Sequence, residues 1–395
     1  MQTDINNFLR LGYYLDYDSD FIIQPTKTLL TDLSDINILI NQARSILMNS
    51  IEIFLKKNKT SDIIVPLSGG FDSRLILACL LEFFESKKIK TYTFGTPKTY
   101  DYEIGNLIAE KLKTEHTRID LNSLSMTMDN ILYNNKVINN QCLLFYSTPF
   151  HHIDKIYGEK TLHFSGFMGD PLAGSKLKNC PTIESAIDLF INDNTITNLS
   201  PSINKEFIKI EKTNLSNYEN IDFHNRQSKY IKPHVAPNNR YYCPFLSQDF
   251  INLMFGLESK YRNNCTMYRE LCFNTYPNLF ELPMKDFHGL TVNNSQPEIW
   301  LKRILNYFLT NLNKYNLVNY IDKRTNYFDL KYNISKNDLF SKVFTELYML
   351  ASKELSKLGI LSNVESENTL KYGKNTNDLV IIASVGAQIL SGKSW

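Results

Sequence analysis

No stretch of this chain approaches the roughly 18 apolar residues that a membrane-spanning helix needs. Its first twenty residues, MQTDINNFLRLGYYLDYDSD, contain no basic region followed by an apolar one. Both absences point to a cytoplasmic protein with no membrane partner. The seven histidines include the adjacent pair His151-His152 but form no HExxH, which disfavours a histidine-built metal site. The six cysteines, Cys79, Cys142, Cys180, Cys243, Cys265 and Cys272, are scattered and form no CxxC pair. Buried thiols are therefore expected, rather than a zinc site or a disulfide framework. A net charge of +2 creates no field that would recruit nucleic acid. Neither an internal repeat nor a long Pro/Ser/Gly linker interrupts the 395 residues. The Asn-, Lys- and Ile-rich composition reads as genomic bias, so the Asn-rich loops are not taken as prion-like.

What is present is ordinary globular material, 43% hydrophobic and 21% charged, long enough for more than one core. Residues 1–35 are a short, mixed N-terminal segment. Ile36, Ile40, Ala43, Leu47, Ile51 and Phe54 then recur at helical spacing. SDIIVPLSGG reads as a fully apolar strand ending in a turn. DSRLILACLLEFFESKK reads as a helix that is apolar nearly all round and packed between layers. KIKTYTFG, DYEIGNLIAEKLK and TEHTRIDL continue as strand, helix and strand, and KTLHFSG as a fourth strand. That order predicts an α/β fold: a Rossmann-like parallel sheet with right-handed crossovers, flanked by helices. Residues 36–180 form this core. Residues 181–395 are mainly helical, with apolar stripes in ESAIDLFIND, SQDFINLMFGLE, EIWLKRILNYFLTNL, DLFSKVFTELYMLASKEL and NDLVIIASVGAQIL. This half is expected to pack on the sheet.

The informative stretch is LSGGFDSR, residues 67–74. A strand that runs through glycines into a helix makes an anion site, from backbone N–H groups and the helix N-terminus. Gly69 and Gly70 let a ligand approach the backbone, and Ser68 and Ser73 add hydroxyls. The chain has neither GxxxxGK[ST] nor GxGxxG, so this is not a Walker loop and a dinucleotide fold is disfavoured. Asp72 is the anomaly, a carboxylate at the mouth of an anion site. In a plain β-α turn it would be only a helix-start acid.

SGGFDSR resembles the SGGxDS pyrophosphate loop of the N-type ATP pyrophosphatases. More narrowly, residues 36–300 resemble the synthetase domain of asparagine synthetase and its relatives, the β-lactam synthetases and lasso-peptide cyclases. TYTFGTPKTYDYEIGNLIAEKLKTEH is similar to the second strand and helix of that family, with Asp101 at its characteristic acid and His116 near its histidine. FSGFMGDPLAG resembles the family's SGEGADELFGGY, YYCPFLSQDFINLMFGLESKYR its arginine-x-PFLD segment, and FELPMKDFHG its lysine-bearing segment, which places Lys285 at that lysine.

The resemblance implies an ATP- and Mg²⁺-dependent ligase. It would adenylate a carboxylate substrate and form an amide with ammonia or an amine, releasing AMP and pyrophosphate. Asp72 and Asp170 would hold Mg²⁺ on the β and γ phosphates, while Ser68, Gly69, Gly70 and Ser73 cradle pyrophosphate oxygens. Ser165 and Gly166 would lie by the ribose and α-phosphate. The backbones near Leu67 and Phe94 would contact adenine, and Lys285 would stabilise developing charge. Arg74 stands where asparagine synthetases commonly have serine. It either adds a guanidinium to the phosphates or pairs with an acid.

Two departures qualify this. The first cysteine is Cys79, and about 60 residues precede the loop, so a glutaminase domain is not expected. Residues 1–35 resemble at most a remnant of one. Ammonia would come from a separate amidase partner, or the amine would be larger. Phe167 and Pro171 stand where the family carries two acids, so the base that steers the amine is missing. Another base would have to act, or the amine would arrive neutral, or the activity is lost. Tyr146, His151 and His152 lie just upstream and could reach the pocket, though loop residues without function are the commoner case. Arg226, Arg240 and Arg269 fall in segments resembling the acceptor region, where structural ion pairs are the commoner role. The alternatives are a non-catalytic nucleotide- or partner-binding module and another adenylation-dependent transferase, such as a thiolation enzyme. The resemblance to standalone proteins of capsule, O-antigen and peptide-product pathways implies a specialised carboxylate.

Overall fold

The computed structural model describes residues 5–17, 19, 21–26, 35–58, 62–145, 148–200, 202–314, 317–318, 320–324, 328–361 and 376–393. Tyr146 lies outside them. The apolar runs pair as the periodicity predicts: β1 (Ile63–Pro66), β2 (Ile89–Gly95), β3 (Glu115–Asp120) and β4 (His163–Phe164). A fifth strand, β5 (Tyr241–Tyr242), joins them in the order β3-β2-β1-β4-β5, with every pairing parallel. Like β4 it is two residues long, but it is bounded by Asn239-Arg240 and Pro244, and the sequence reading passes over it.

The chain reverses direction across the sheet between β1 and β4. Strands β2 and β3 continue to one side of β1, and β4 and β5 lie on the other. The crevice at such a switch point opens at the carboxyl ends of the strands. The turns after β1 and β4 both emerge there.

The helix after the glycine turn is shorter than its apolar run. It covers Asp72–Leu80 and then tightens, with Phe83 N–H donating to Leu80 O at 3.0 Å, before a 3₁₀ turn at Ser86–Lys88. Its Ser73–Leu80 positions are all buried, as expected of a helix sandwiched between layers. Residues 5–17 are woven into the body. Leu143 N–H donates to Gly12 O at 2.8 Å, and Tyr14 Oη donates to Gln388 Oε1 at 2.7 Å. Buried Lys229 donates to Leu15 O.

In the helical half, Asp338–Lys357 packs on Thr376–Leu390, where Gly386 lies directly against the Leu347 backbone. The helix Gln296–Lys314 differs from expectation, since much of its apolar stripe faces outward. Among the described residues no helix is long and apolar enough to cross a membrane. All six cysteines are free thiols; Cys180 is half-buried and the rest are buried.

Candidate active site

The turn after β1 is held by its own polar groups. Ser68 N–H donates to Ser73 Oγ (3.1 Å), Gly70 N–H to Ser68 Oγ (3.3 Å), and the two serine hydroxyls lie 3.0 Å apart. Gly69 N–H donates to Asp101 Oδ1 at 3.0 Å, and Gly69 O accepts from Lys285 N–H at 3.0 Å. Lys285 Nζ pairs with the other oxygen of Asp101. A Cβ on Gly69 would lie 3.2 Å from Lys285 Cβ and 3.1 Å from Tyr100 O, so this glycine allows the lysine segment its close approach.

Ser68, Gly69 and Gly70 were expected to turn their N–H groups outward to an anion. Each instead already has an acceptor inside the protein. The groups left for an anion are those of the first turn of the Asp72–Leu80 helix, which have no intrahelical partner.

The turn after β4 reaches Asp72 by steric fit. A Cβ on Gly166 would fall 2.7 Å from Ser73 N, and one on Gly169 would fall 2.7 Å from Asp72 Cγ. Both distances are shorter than side chains tolerate, so this contact exists only with glycine there. Met168, between them, is buried at φ +75°, a left-handed conformation costly for a side chain. Asp170 N–H then donates to Asp72 Oδ2 at 3.1 Å. Tyr268 Oη donates to Asp72 Oδ1 at 2.7 Å. The two aspartates that the sequence reading paired are therefore neighbours, 98 positions apart in the chain.

Their electrostatics are unfavourable as they stand. Burial, and then the charge of Asp170, push the Asp72 carboxyl from 3.8 up to about 7, against the lowering effect of the Tyr268 bond. Asp286, next to Lys285, is also raised, first by burial, with Asp170 adding to it and Arg269 opposing. Hard carboxylate oxygens carrying excess negative charge suit a divalent cation, and each Asp72 oxygen keeps a free lone pair. Among the described residues no group of three or more His, Cys, Asp or Glu side chains is arranged to hold a metal. Two carboxylates with the remaining ligands from phosphate and water is how Mg²⁺ is commonly bound.

Around these residues lies a cleft of about 430 Å³. Leu67, Ser68, Asp72, Ser73, Phe94, Ser165, Gly166 and Asp170, all anticipated from the sequence, line it. The Leu67 backbone is less available than expected. Its N–H donates to Tyr92 O (2.8 Å), and its carbonyl accepts from Thr93 Oγ1 (3.2 Å), which leaves one lone pair. Ser165 Oγ accepts from Phe167 N–H at 3.2 Å and donates to Val235 O at 3.4 Å. Phe167 lines the wall and packs on Phe21, with ring centroids 5.7 Å apart.

Arg74 requires a correction. It is fully buried and lines no part of the cleft. It donates to Leu279 O (3.1 Å), Leu282 O (3.3 Å) and Pro283 O (2.8 Å) and lies over the Phe280 ring. With its guanidinium bonded to these carbonyls and away from the cleft, it ties the segment leading to Lys285 onto the helix that begins at Asp72.

The other candidates divide. Arg226 lines the cleft, Arg240 pairs with Asp154 at 2.8 Å, and Arg269 lies 3.9 Å from Asp286. His116 bonds Asn106 and Thr91 within the sheet layer, and His151 bonds Asn134; neither lines the cleft, nor does His152. Sequence reasoning missed Tyr268 and Gly169 beside Asp72, and also Lys176 and Gln227 in the cleft lining. Gly169 was visible inside SGFMGDPLAG; Tyr268 had no local signal.

No curated protein gives a significant match to the chain. The family model described as asparagine synthase matches residues 58–133. That span runs from β1 through β3, including the glycine turn, Asp72 and Asp101, and ends before the second loop. The convergence of Asp170 on Asp72 is thus an observation independent of the match. Over residues 58–133 the chain is consistent with an asparagine synthetase family domain, a family of ATP-using synthetases.

Proposed function

We propose that this chain is an ATP-dependent ligase that activates a carboxylate by adenylation and passes it to ammonia or an amine, releasing AMP and pyrophosphate. The observation that carries this reading is the meeting of Asp72 and Asp170 at the switch point of a parallel sheet, beside a glycine turn. The two carboxylates would hold Mg²⁺, which when bound offsets the charge of the departing pyrophosphate. The first-turn N–H groups of the Asp72–Leu80 helix would receive phosphate oxygens. Lys285, anchored through Gly69 and Asp101, would stand beside the same oxygens. Leu67 and Phe94 would form the adenine wall, and Ser165 and Gly166 the ribose side.

Phe167 gives this cleft an aromatic wall where the resemblance expects a carboxylate. The residues described here therefore support activation of the acid, and leave the amine to arrive as a neutral nucleophile. The sulfur-transfer alternative finds no thiol in the lining of the cleft. Burial pushes the thiols of Cys79 and Cys265 up to about 12, and raises that of Cys142 as well.

Exchange of labelled pyrophosphate into ATP, screened over pooled amino, sugar and peptide carboxylic acids, tests the proposal. Acid-dependent exchange supports it. ATP binding without exchange for any acid would favour the non-catalytic nucleotide-binding module.

A further inference from the structure

The helix Gln296–Lys314 turns the wrong side to the protein. Its most buried side chain is polar: Asn306 is 3% exposed, donates to Tyr100 Oη (2.9 Å) and accepts from Tyr320 Oη (2.8 Å), while Ile299 and Leu309 beside it are half-buried. Its outward face carries Trp300 (63% exposed), Leu301 (64%), Ile304 (41%), Leu305 (47%), Tyr307 (65%) and Phe308 (56%). With 3.6 residues per turn, these six side chains share one arc of about 160°. None of them lines the cleft.

We infer that this face docks against the same face of a second copy of the chain. Six such side chains offer on the order of 700 Å² of apolar surface, taking the areas typical of aromatic and aliphatic residues. That exceeds the ~300–600 Å² of the largest patch on a typical monomer. It is close to the ~800 Å² per partner that a standard interface buries.

The charges at its margins select the occupant. Glu298, which also caps the helix through Ser295 N–H (2.7 Å), borders one side of the arc, and exposed Arg303 borders the other. A two-fold axis running along the helix sets the Glu298 margin of each copy beside the Arg303 margin of its mate. Lys302 follows Glu298 one turn on, so what argues against an anionic lipid surface is the carboxylate itself, which would face the headgroups at the edge of the arc.

Sedimentation velocity of the full chain over low to high micromolar concentrations tests the inference, with Trp300→Glu, Tyr307→Glu and Arg303→Glu beside wild type. The first two replace side chains that are more than half exposed, and the third leaves the apolar face intact, so none disturbs the core. The expected result is a wild-type species of about twice the chain mass. Either face substitution returns it to monomer with unchanged circular dichroism, and Arg303→Glu raises the dissociation constant roughly tenfold, the effect of losing ~1.4 kcal/mol. A wild-type protein that stays monomeric overturns the inference. So does a dimer indifferent to the face substitutions, or a monomer that co-sediments with phosphatidylglycerol vesicles through Trp300.

Discussion

The two loops that meet at Asp72 are held in different ways. The loop after β1 is fixed by hydrogen bonds, with Ser68, Gly69 and Gly70 bonded to Ser73, Asp101 and one another. The loop after β4 is fixed by absent atoms. Gly166 and Gly169 have no room for a Cβ, and Met168 carries the strain of a positive φ between them. A polar network tolerates the loss of one member, because each bond contributes only about 1 kcal/mol net. Steric fit does not degrade gradually. The second loop should therefore be the less forgiving of the two, even though the first carries the more recognisable motif.

The largest effect is expected where both loops meet. Asp72→Asn or Asp170→Asn should reduce pyrophosphate exchange by about 100-fold or more, with the fold retained on circular dichroism. Next comes the loop that depends on steric fit. Gly169→Ala places a methyl group 2.7 Å from Asp72 Oδ1 and 2.8 Å from Tyr268 Oη. It should destabilise the protein by about 1–3 kcal/mol and cost most of the activity. Gly70→Ala meets only Ser68 Oγ, at 3.6 Å, and should be nearly neutral in a denaturant melt. If those two alanines behaved alike, the contrast between the loops would collapse. Ser73→Ala, which removes two bonds from the polar network, should cost about 1–2 kcal/mol and leave measurable exchange.

The last prediction concerns pH. Asp72 binds its proton more tightly in the folded chain, with its value raised from 3.8 to about 7. Its contribution to stability is complete below pH 3.8 and is lost as the pH rises through about 7. Without divalent metal, Asp72→Asn should therefore melt above wild type at pH 8, and the gap should narrow toward pH 5. Mg²⁺ should raise the wild-type melting temperature at pH 8 and leave that of Asp72→Asn unchanged.

The same contrast explains what the sequence revealed. The first loop is contiguous, so its serines, glycines and Asp72 announce themselves within seven residues. Asp170 was found because a second contiguous run surrounds it. Tyr268 reaches Asp72 from 196 positions away with no motif around it. Arg74 misled because its neighbours suggested phosphate, although an arginine inside a helix apolar on every side is more consistent with a buried clamp. Strand β5 is as short as β4 but is cut off by Asn239-Arg240 before it and Pro244 after it. The stripe on Gln296–Lys314 was legible as a helix, but periodicity states only that an apolar face exists, not what covers it.

Calorimetric titration of MgATP into the wild-type chain and into its Asp72→Asn and Asp170→Asn variants tests the central claim most directly. Wild type should bind in a Mg²⁺-dependent manner, and each variant should lose roughly tenfold or more in affinity, about 1.4 kcal/mol. Equal affinity in all three, with or without Mg²⁺, would contradict the account.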